Sequence, residues 1–283
     1  MPAPPSVAGF LLRVSSVRPE WRSRLHARPF GDARCGCEAH GMIVLSAMSH
    51  CPMNGLPPTK VEALKPEQVA ALDRDGYLLL RGAVPAAWRD ALRAAFDAGV
   101  GTGDQWAAPR GPGWRHALVD LDPLVQRTCR LPPLLAAAAQ MLGEPFLLSQ
   151  VEGREPLKDG GHQRLHRDGA GMKSVSALVF LDAYGPDNGA TRVVPRHLDQ
   201  GYLNQEHPDQ TEPDETLSLI TAGEAGDILV FDADLPHGAT CNRSGARRRS
   251  LLLSFMLPSN RATMEASRAI RNVRMDTSEV FVP

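Results

Sequence analysis

The order of apolar and polar positions changes period once along this chain. Between Pro66 and Leu142 apolar residues recur three and four apart, the spacing that buries one face of a helix. From Phe146 to Leu257 they alternate or run in short blocks, as in strands of a half-buried sheet. The first stretch predicts a helix opened by Pro66 and Glu67, where a missing N–H and a negative charge are tolerated or favoured, and closed by Gly76. A short strand from Tyr77 to Arg81 follows. Pro85 opens a second helix with Trp88, Leu92, Ala95 and Phe96 on its core stripe and Arg89, Arg93 and Asp97 off it. Residues 99–113, rich in Gly and Pro, read as a loop, and a third helix runs from Leu131 to Leu142.

In the second stretch, alternation puts Leu148, Gln150, Glu152 and Arg154 on one face of a strand. Further strands are expected at 174–182, 191–194, 217–221, 227–232 and 250–257, with turns at Gly185–Gly189 and Gly226 and a polar loop at about 198–215. Asn188-Gly189 reads as turn chemistry. Many strands behind a helical N-terminal third predict a mainly β fold, a sandwich or barrel with flanking helices. Residues 61–283 read as a single domain. Residues 1–60 carry Pro2, Pro4, Pro5 and scattered arginines with no sustained period. They read as a disordered leader, or as translation begun upstream of a start at Met42 or Met48; in outline they also share the arginine-rich, acid-poor character of a transit peptide.

A net charge of −1, a 43% hydrophobic fraction and 22% charged residues exclude a strongly basic nucleic-acid binder. No run of eighteen or more apolar residues is available to span a membrane. The five cysteines, Cys35, Cys37, Cys51, Cys129 and Cys241, have neither zinc nor disulfide spacing and read as reduced thiols of a cytoplasmic protein.

The chemistry concentrates in Gly161-His162-Gln163-Arg164-Leu165-His166-Arg167-Asp168-Gly169. His166 and Asp168, two apart on extended backbone, project to the same side and can reach one metal ion. His237 follows directly after the apolar run 227–232 and supplies a third ligand. Two histidines and one carboxylate leave open positions on the metal, the set typical of non-haem Fe(II) oxygen chemistry. The same set also serves a zinc-dependent hydrolase or a non-catalytic jelly-roll metal-binding protein. His116, His162, His197 and His207 stay unassigned.

Residues 63–257 resemble the phytanoyl-CoA dioxygenase family of Fe(II)- and 2-oxoglutarate-dependent oxygenases. The resemblance is carried by Asp75-Gly76-Tyr77, Leu165-His166-Arg167-Asp168, the run from Asp187 to His197, Gly226-Asp227, Pro236-His237-Gly238, Asn242 and Arg248. It implies a double-stranded β-helix (jelly-roll) core, with Fe(II) held by His166, Asp168 and His237. It also implies 2-oxoglutarate as cosubstrate, O2 as oxidant, ascorbate as a helpful additive in vitro, and release of succinate and CO2. The implied substrate is a small molecule: a lipid or acyl-CoA, a compatible solute, or a secondary metabolite. A halogenase of the family would have a small residue in place of Asp168. Two departures are Pro195-Arg196-His197, where the family usually has Gly-Ser-His, and Ala239, where a hydroxyl side chain is common.

The far carboxylate of 2-oxoglutarate needs a cation, and Arg247, Arg248 and Arg249 are on offer. Parity places Arg248, Ser250, Leu252, Ser254 and Met256 on one side, and Arg247, Arg249, Leu251, Leu253 and Phe255 on the other. A hairpin centred near Asn242 and Arg243 would set His237 opposite Arg248. Only Arg248 then points to the metal. Gln150 and Arg154 are candidates for touching cosubstrate or substrate, Gln163 for supporting His166 by a hydrogen bond, and Thr191 for lining the pocket. Segments 99–115 and 198–216 are expected as lids.

Overall fold

The computed structural model describes residues 59–61, 63–101, 112–169, 171–199 and 215–283. In chain order the first elements are β1 (Thr59–Lys60), α1 (Pro66–Asp75), β2 (Tyr77–Leu80) and α2 (Arg89–Ala98), followed by β3 (Trp114–Ala117), α3 (Pro123–Thr128) and α4 (Pro132–Leu142). Next come β4 (Leu147–Pro156), β5 (Ser174–Phe180), β6 (Thr191–Val193), β7 (Leu219–Ile220), β8 (Ile228–Asp232), β9 (His237–Ala239) and β10 (Ser250–Met256). The chain ends with α5 (Arg261–Ser267) and β11 (Phe281–Val282).

Helix boundaries follow local chemistry. α1 ends because Gly76 takes the left-handed conformation, φ 74°, which a Cβ would penalise. α3 begins where the Asp122 carboxylate accepts from the N–H groups of Leu124 and Val125, at 2.8 and 3.0 Å. The helix expected from Pro85 starts as a 3-10 turn, Ala86–Trp88, and becomes α-helical at Arg89.

Six strands form one antiparallel sheet in the order β2-β8-β5-β10-β4-β3, and three form a second in the order β7-β6-β9. The two make a jelly roll, as the family resemblance implies. Alternation on the large sheet divides its faces. Leu251, Leu253 and Phe255 of β10 join Val175, Ala177 and Val179 of β5 on the face that packs with Leu134 and Leu135 of α4 and Leu92 and Phe96 of α2. Leu178, Phe180, Leu229, Phe231 and the partly buried Leu252 face the other way, toward Tyr184 and Ala190. Each fully buried Leu or Phe on the helix side contributes about 1.5–3 kcal/mol by leaving water.

Several expectations are corrected. Among the described residues an element precedes the helix at Pro66: β1, which pairs in parallel with β11. Trp114 to Ala117 forms the sixth strand of the large sheet, where a lid segment was expected to continue. Leu148 does not share a face with Gln150. The register steps from Ser254↔Gln150 to Phe255↔Leu148, so Ser149 is an extra residue in β4. Such a bulge reverses parity beyond it, and Leu148 joins the helix-side core. Nor do β9 and β10 form a hairpin: β9 pairs with β6, while β10 lies between β4 and β5. The expected leader up to residue 58, and the bulk of the two expected lids, lie outside the described residues.

Candidate active site

The loop carrying His166 is zipped onto β9. His166 N–H donates to His237 O at 2.9 Å, and His237 N–H donates back to His166 O at 3.0 Å. Gln163 N–H reaches Ala239 O, and Asp168 N–H reaches Ala233 O, both at 2.9 Å. An antiparallel pair that exchanges both hydrogen bonds projects its two side chains to the same face. The imidazoles of His166 and His237 are accordingly neighbours, with ring centroids 4.5 Å apart. Gly238 permits the approach, since a Cβ there would meet Gln163 O at 2.8 Å and Arg164 O at 2.9 Å.

Both rings are oriented alike. Nδ1 of His166 lies 2.8 Å from Arg164 O, and Nδ1 of His237 lies 2.8 Å from Leu235 O. A carbonyl only accepts, so each Nδ1 carries the proton and each Nε2 of the neutral ring presents a lone pair. The two Nε2 atoms converge on Asp168, at 3.7 Å from Oδ1 and 3.5 Å from Oδ2. Burial pushes the Asp168 carboxyl up, but the groups around it, the Arg154 charge among them, outweigh burial and hold it at about 2. Burial, and then the neighbouring His237, lower the His166 pKa and favour its neutral form. One donor atom from each of the three residues lies within 4.8 Å of the others. Their chemistry, two imidazole nitrogens and an ionised carboxylate on one side, fits Fe(II). Gln163 is not the partner of His166; a backbone carbonyl does that work.

The cavity beside this cluster lies between the two sheets. From the small sheet and the metal loop it is lined by Gln163, Thr191, Gly238 and Ala239, and from the large sheet by Arg154 and Arg248 among others. Arg248 is only 2% exposed. Its guanidinium lies 4.5 Å over the Tyr184 ring and 5.5 Å from that of Trp114. It makes no ion pair among the described residues, and its buried Nε has no hydrogen-bond partner there. Burial lowers its pKa. An uncompensated buried charge costs several kcal/mol, so an anionic ligand at this point is stabilising. The far carboxylate of 2-oxoglutarate fits as the counter-charge to Arg248.

The flanking arginines point elsewhere, as parity predicts. Arg247 pairs with Glu155 at 2.7 Å and Asp97 at 2.7 Å; Arg249 pairs with Asp182 at 2.8 Å and Asp97 at 2.8 Å. Gln150 is not brought to the cavity. It sits one cross-strand pair beyond Glu152, opposite Ser254, and its Oε1 accepts from Arg271 at 3.3 Å. The Pro195-Arg196-His197 departure also has a structural account. Arg196 binds Asp232 at 2.9 Å and Asp73 O at 3.0 Å, while His197 lies 3.1 Å from Asp75, so both tie the small sheet to α1. Ser250 and Leu252 line the cavity on the side where parity puts Arg248, while sequence reasoning missed Trp114, Ser176, Leu178 and Phe231. The signal for Ser176 was present: it is a small polar residue at an inward position of an otherwise apolar strand.

A jelly roll with this His-Asp-His cluster and an unpaired buried arginine across the same cavity defines a class, that of metal-dependent oxygenases with an oxoacid cosubstrate. The phytanoyl-CoA dioxygenase (PhyH) family matches residues 72–250, and the chain belongs to that family. It is 26% identical over 191 residues to the L-proline trans-4-hydroxylase of Streptomyces griseoviridis, covering 55% of this chain and 70% of that one. It is 24% identical over 237 residues to the ectoine dioxygenase of Bordetella bronchiseptica, covering 69% and 76%. In fold it is similar to HygX from Streptomyces hygroscopicus, solved with nickel, 2-oxoglutarate and hygromycin B bound, with TM-score 0.57, 18% identity and coverage of 69% and 88%. EctD from S. alaskensis with bound Fe gives TM-score 0.53 at 21% identity, covering 73% and 83%. Among the described residues no helix is long and apolar enough to cross a membrane.

Proposed function

We propose that the chain is an Fe(II)- and 2-oxoglutarate-dependent dioxygenase that hydroxylates a small molecule and releases succinate and CO2. The observation that carries this reading is the His166–Asp168–His237 cluster sharing one cavity with the unpaired Arg248. His166, Asp168 and His237 hold the metal, their rings fixed by the carbonyls of Arg164 and Leu235. When bound, Fe(II) with 2-oxoglutarate and O2 supplies the oxidising chemistry. Arg248 binds the far carboxylate of the cosubstrate, with Thr191 on the opposite wall. The walls from Leu178, Phe231 and Leu252 exclude water. The full carboxylate of Asp168 fills the position a halide would need, which favours hydroxylation over halogenation.

Residues 61–283 act as one catalytic domain in this reading, and the protein works in the cytoplasm on a lipid or acyl-CoA, a compatible solute or a secondary metabolite. The placement rests on the cysteine spacing in the sequence; among the described residues Cys129 is buried, Cys241 is half-buried, and both are free thiols. Burial pushes the Cys129 thiol up to about 12, which keeps it unreactive. Succinate formation from 2-oxoglutarate with Fe(II), O2 and ascorbate tests the reaction class. Tight zinc binding with hydrolytic activity and no succinate would replace it with a zinc-dependent hydrolase.

A further inference from the structure

Arg248 is not the only guanidinium on the cavity wall. Arg154 lies on β4, directly opposite Ser250 of β10, and its side chain keeps 27% of its surface exposed. Its Nε donates to Glu152, two residues earlier on the same face, whose side chain is 2% exposed. The two Nη atoms donate to no described residue. Glu152 thus holds the guanidinium at Nε and leaves its two Nη atoms, the fork that matches a carboxylate, without a protein partner among the described residues, on a side chain that lines the cavity. Arg154 lines the same cavity as His166, Asp168 and His237. An anion held there would share that cavity with the metal ligands.

We propose that Arg154 is the recognition residue for the substrate, and that the substrate is a small zwitterionic carboxylic acid, of the amino- or imino-acid type. The proposal rests on the Fe(II)/2-oxoglutarate reading, in which Arg248 is occupied by the cosubstrate. Charge balance selects the class. A divalent metal, Arg154 and Arg248 are matched by Asp168, Glu152 and a dianionic 2-oxoglutarate. The loaded cavity carries no surplus positive charge to offset a dianion, yet it offers one unused carboxylate fork. A carboxylate that brings its own ammonium or iminium-type cation satisfies both conditions. A fatty acyl thioester satisfies neither, because it has no carboxylate to give the fork. The walls leave room for something small, since sheets packed face to face stand only about 10 Å apart.

The test uses the full chain loaded with Fe(II) and 2-oxoglutarate, and reads substrate-stimulated succinate formation. The probes are the proteinogenic amino acids, L-proline among them, and ectoine, each beside its methyl ester or carboxamide, with palmitoyl-CoA as the thioester. Stimulation by at least one free acid, reduced tenfold or more in its ester and amide, is the expected result. For that acid, Arg154→Gln should raise KM at least tenfold, and Arg154→Lys should recover part of it. Calorimetric binding of the acid to the Ni(II)- and 2-oxoglutarate-loaded protein should weaken in parallel. Because Arg154→Gln removes one ion-pair partner of the buried Glu152, the Glu152→Gln/Arg154→Gln pair is made beside it as the fold-preserving variant. Stimulation by palmitoyl-CoA alone, equal stimulation by acid and ester, or no response to any free acid overturns the proposal. So does an Arg154→Gln effect that falls on 2-oxoglutarate affinity instead of the acid. Unstimulated succinate formation by the wild type reports separately on the underlying reading.

Discussion

Arg249 and Asp182 are joined three times. The Arg249 backbone N–H and Nε both donate to Asp182 Oδ2, at 2.9 and 2.8 Å, and Nη2 donates to Oδ1 at 2.9 Å. The pair ties the residue after Arg248 to the segment that follows β5, and so fixes where β10 starts. Burial pushes the Asp182 carboxyl up, but these hydrogen bonds and the charges of Arg249 and Arg93 outweigh it, and its pKa falls below the usual carboxylate range. Stability from a carboxyl with a lowered folded-state pKa is complete above the unfolded value of about 3.9 and is lost as pH falls through the folded value. Asp182→Asn should cost about 1–3 kcal/mol at pH 7, and should flatten the fall in thermal midpoint below pH 4. Thermal melts of both proteins between pH 2.5 and 7 check this; parallel curves would contradict it.

Arg248 and its two neighbours should separate cleanly. Arg248→Gln should weaken 2-oxoglutarate binding by about 2–5 kcal/mol, the scale of losing one partner of a desolvated charged pair, with iron content unchanged. Arg249→Gln should lower the thermal midpoint and leave 2-oxoglutarate affinity within about threefold, since its partners are Asp182 and Asp97. Anaerobic titration of the iron-loaded proteins reads both effects. Equal weakening in Arg248→Gln and Arg249→Gln would mean that β10 is presented differently.

The separation of those arginines was legible from parity alone, because β10 runs without a bulge from Ser250 to Met256 against β5. β4 was less legible. Nothing in Leu147 to Gln150 marks Ser149 as the extra residue; its hydroxyl donates to Ser254 O at 3.0 Å, a partner only the sheet supplies. The metal ligands could be read because His166 and Asp168 are close in sequence and His237 ends an apolar run. Their alignment could not, since it comes from backbone exchange between segments far apart in the chain. The same holds for the sandwich. His237 and Arg248 are joined by a turn-like segment, but β9 and β10 belong to different sheets, a choice made by their partners β6, β4 and β5.

Gly153 sits mid-strand in β4 for a packing reason. A Cβ there would meet Ala117 Cβ and Phe96 Cε2, each at 2.7 Å. Gly153→Ala should therefore overpack the contact between α2 and β3 and cost about 1–3 kcal/mol. A denaturant melt that moves its midpoint without changing its slope is the expected result.

Asp168→Ala should abolish hydroxylation and strip iron retention, because it removes the only carboxylate on which both Nε2 atoms converge among the described residues. The wild type in chloride buffer should give hydroxylated product with no chlorinated one, read by mass spectrometry. A chlorinated product from the wild type would contradict the role given to Asp168.

The central claim is that one Fe(II) at His166, Asp168 and His237 shares its cavity with 2-oxoglutarate anchored on Arg248. Adding 2-oxoglutarate anaerobically to the Fe(II)-loaded protein tests it most directly, by visible absorption. The expected result is a metal-to-ligand charge-transfer band that saturates at one iron per chain and needs markedly more 2-oxoglutarate in Arg248→Gln. A protein that binds iron at this stoichiometry yet gives no band at any 2-oxoglutarate concentration would contradict it.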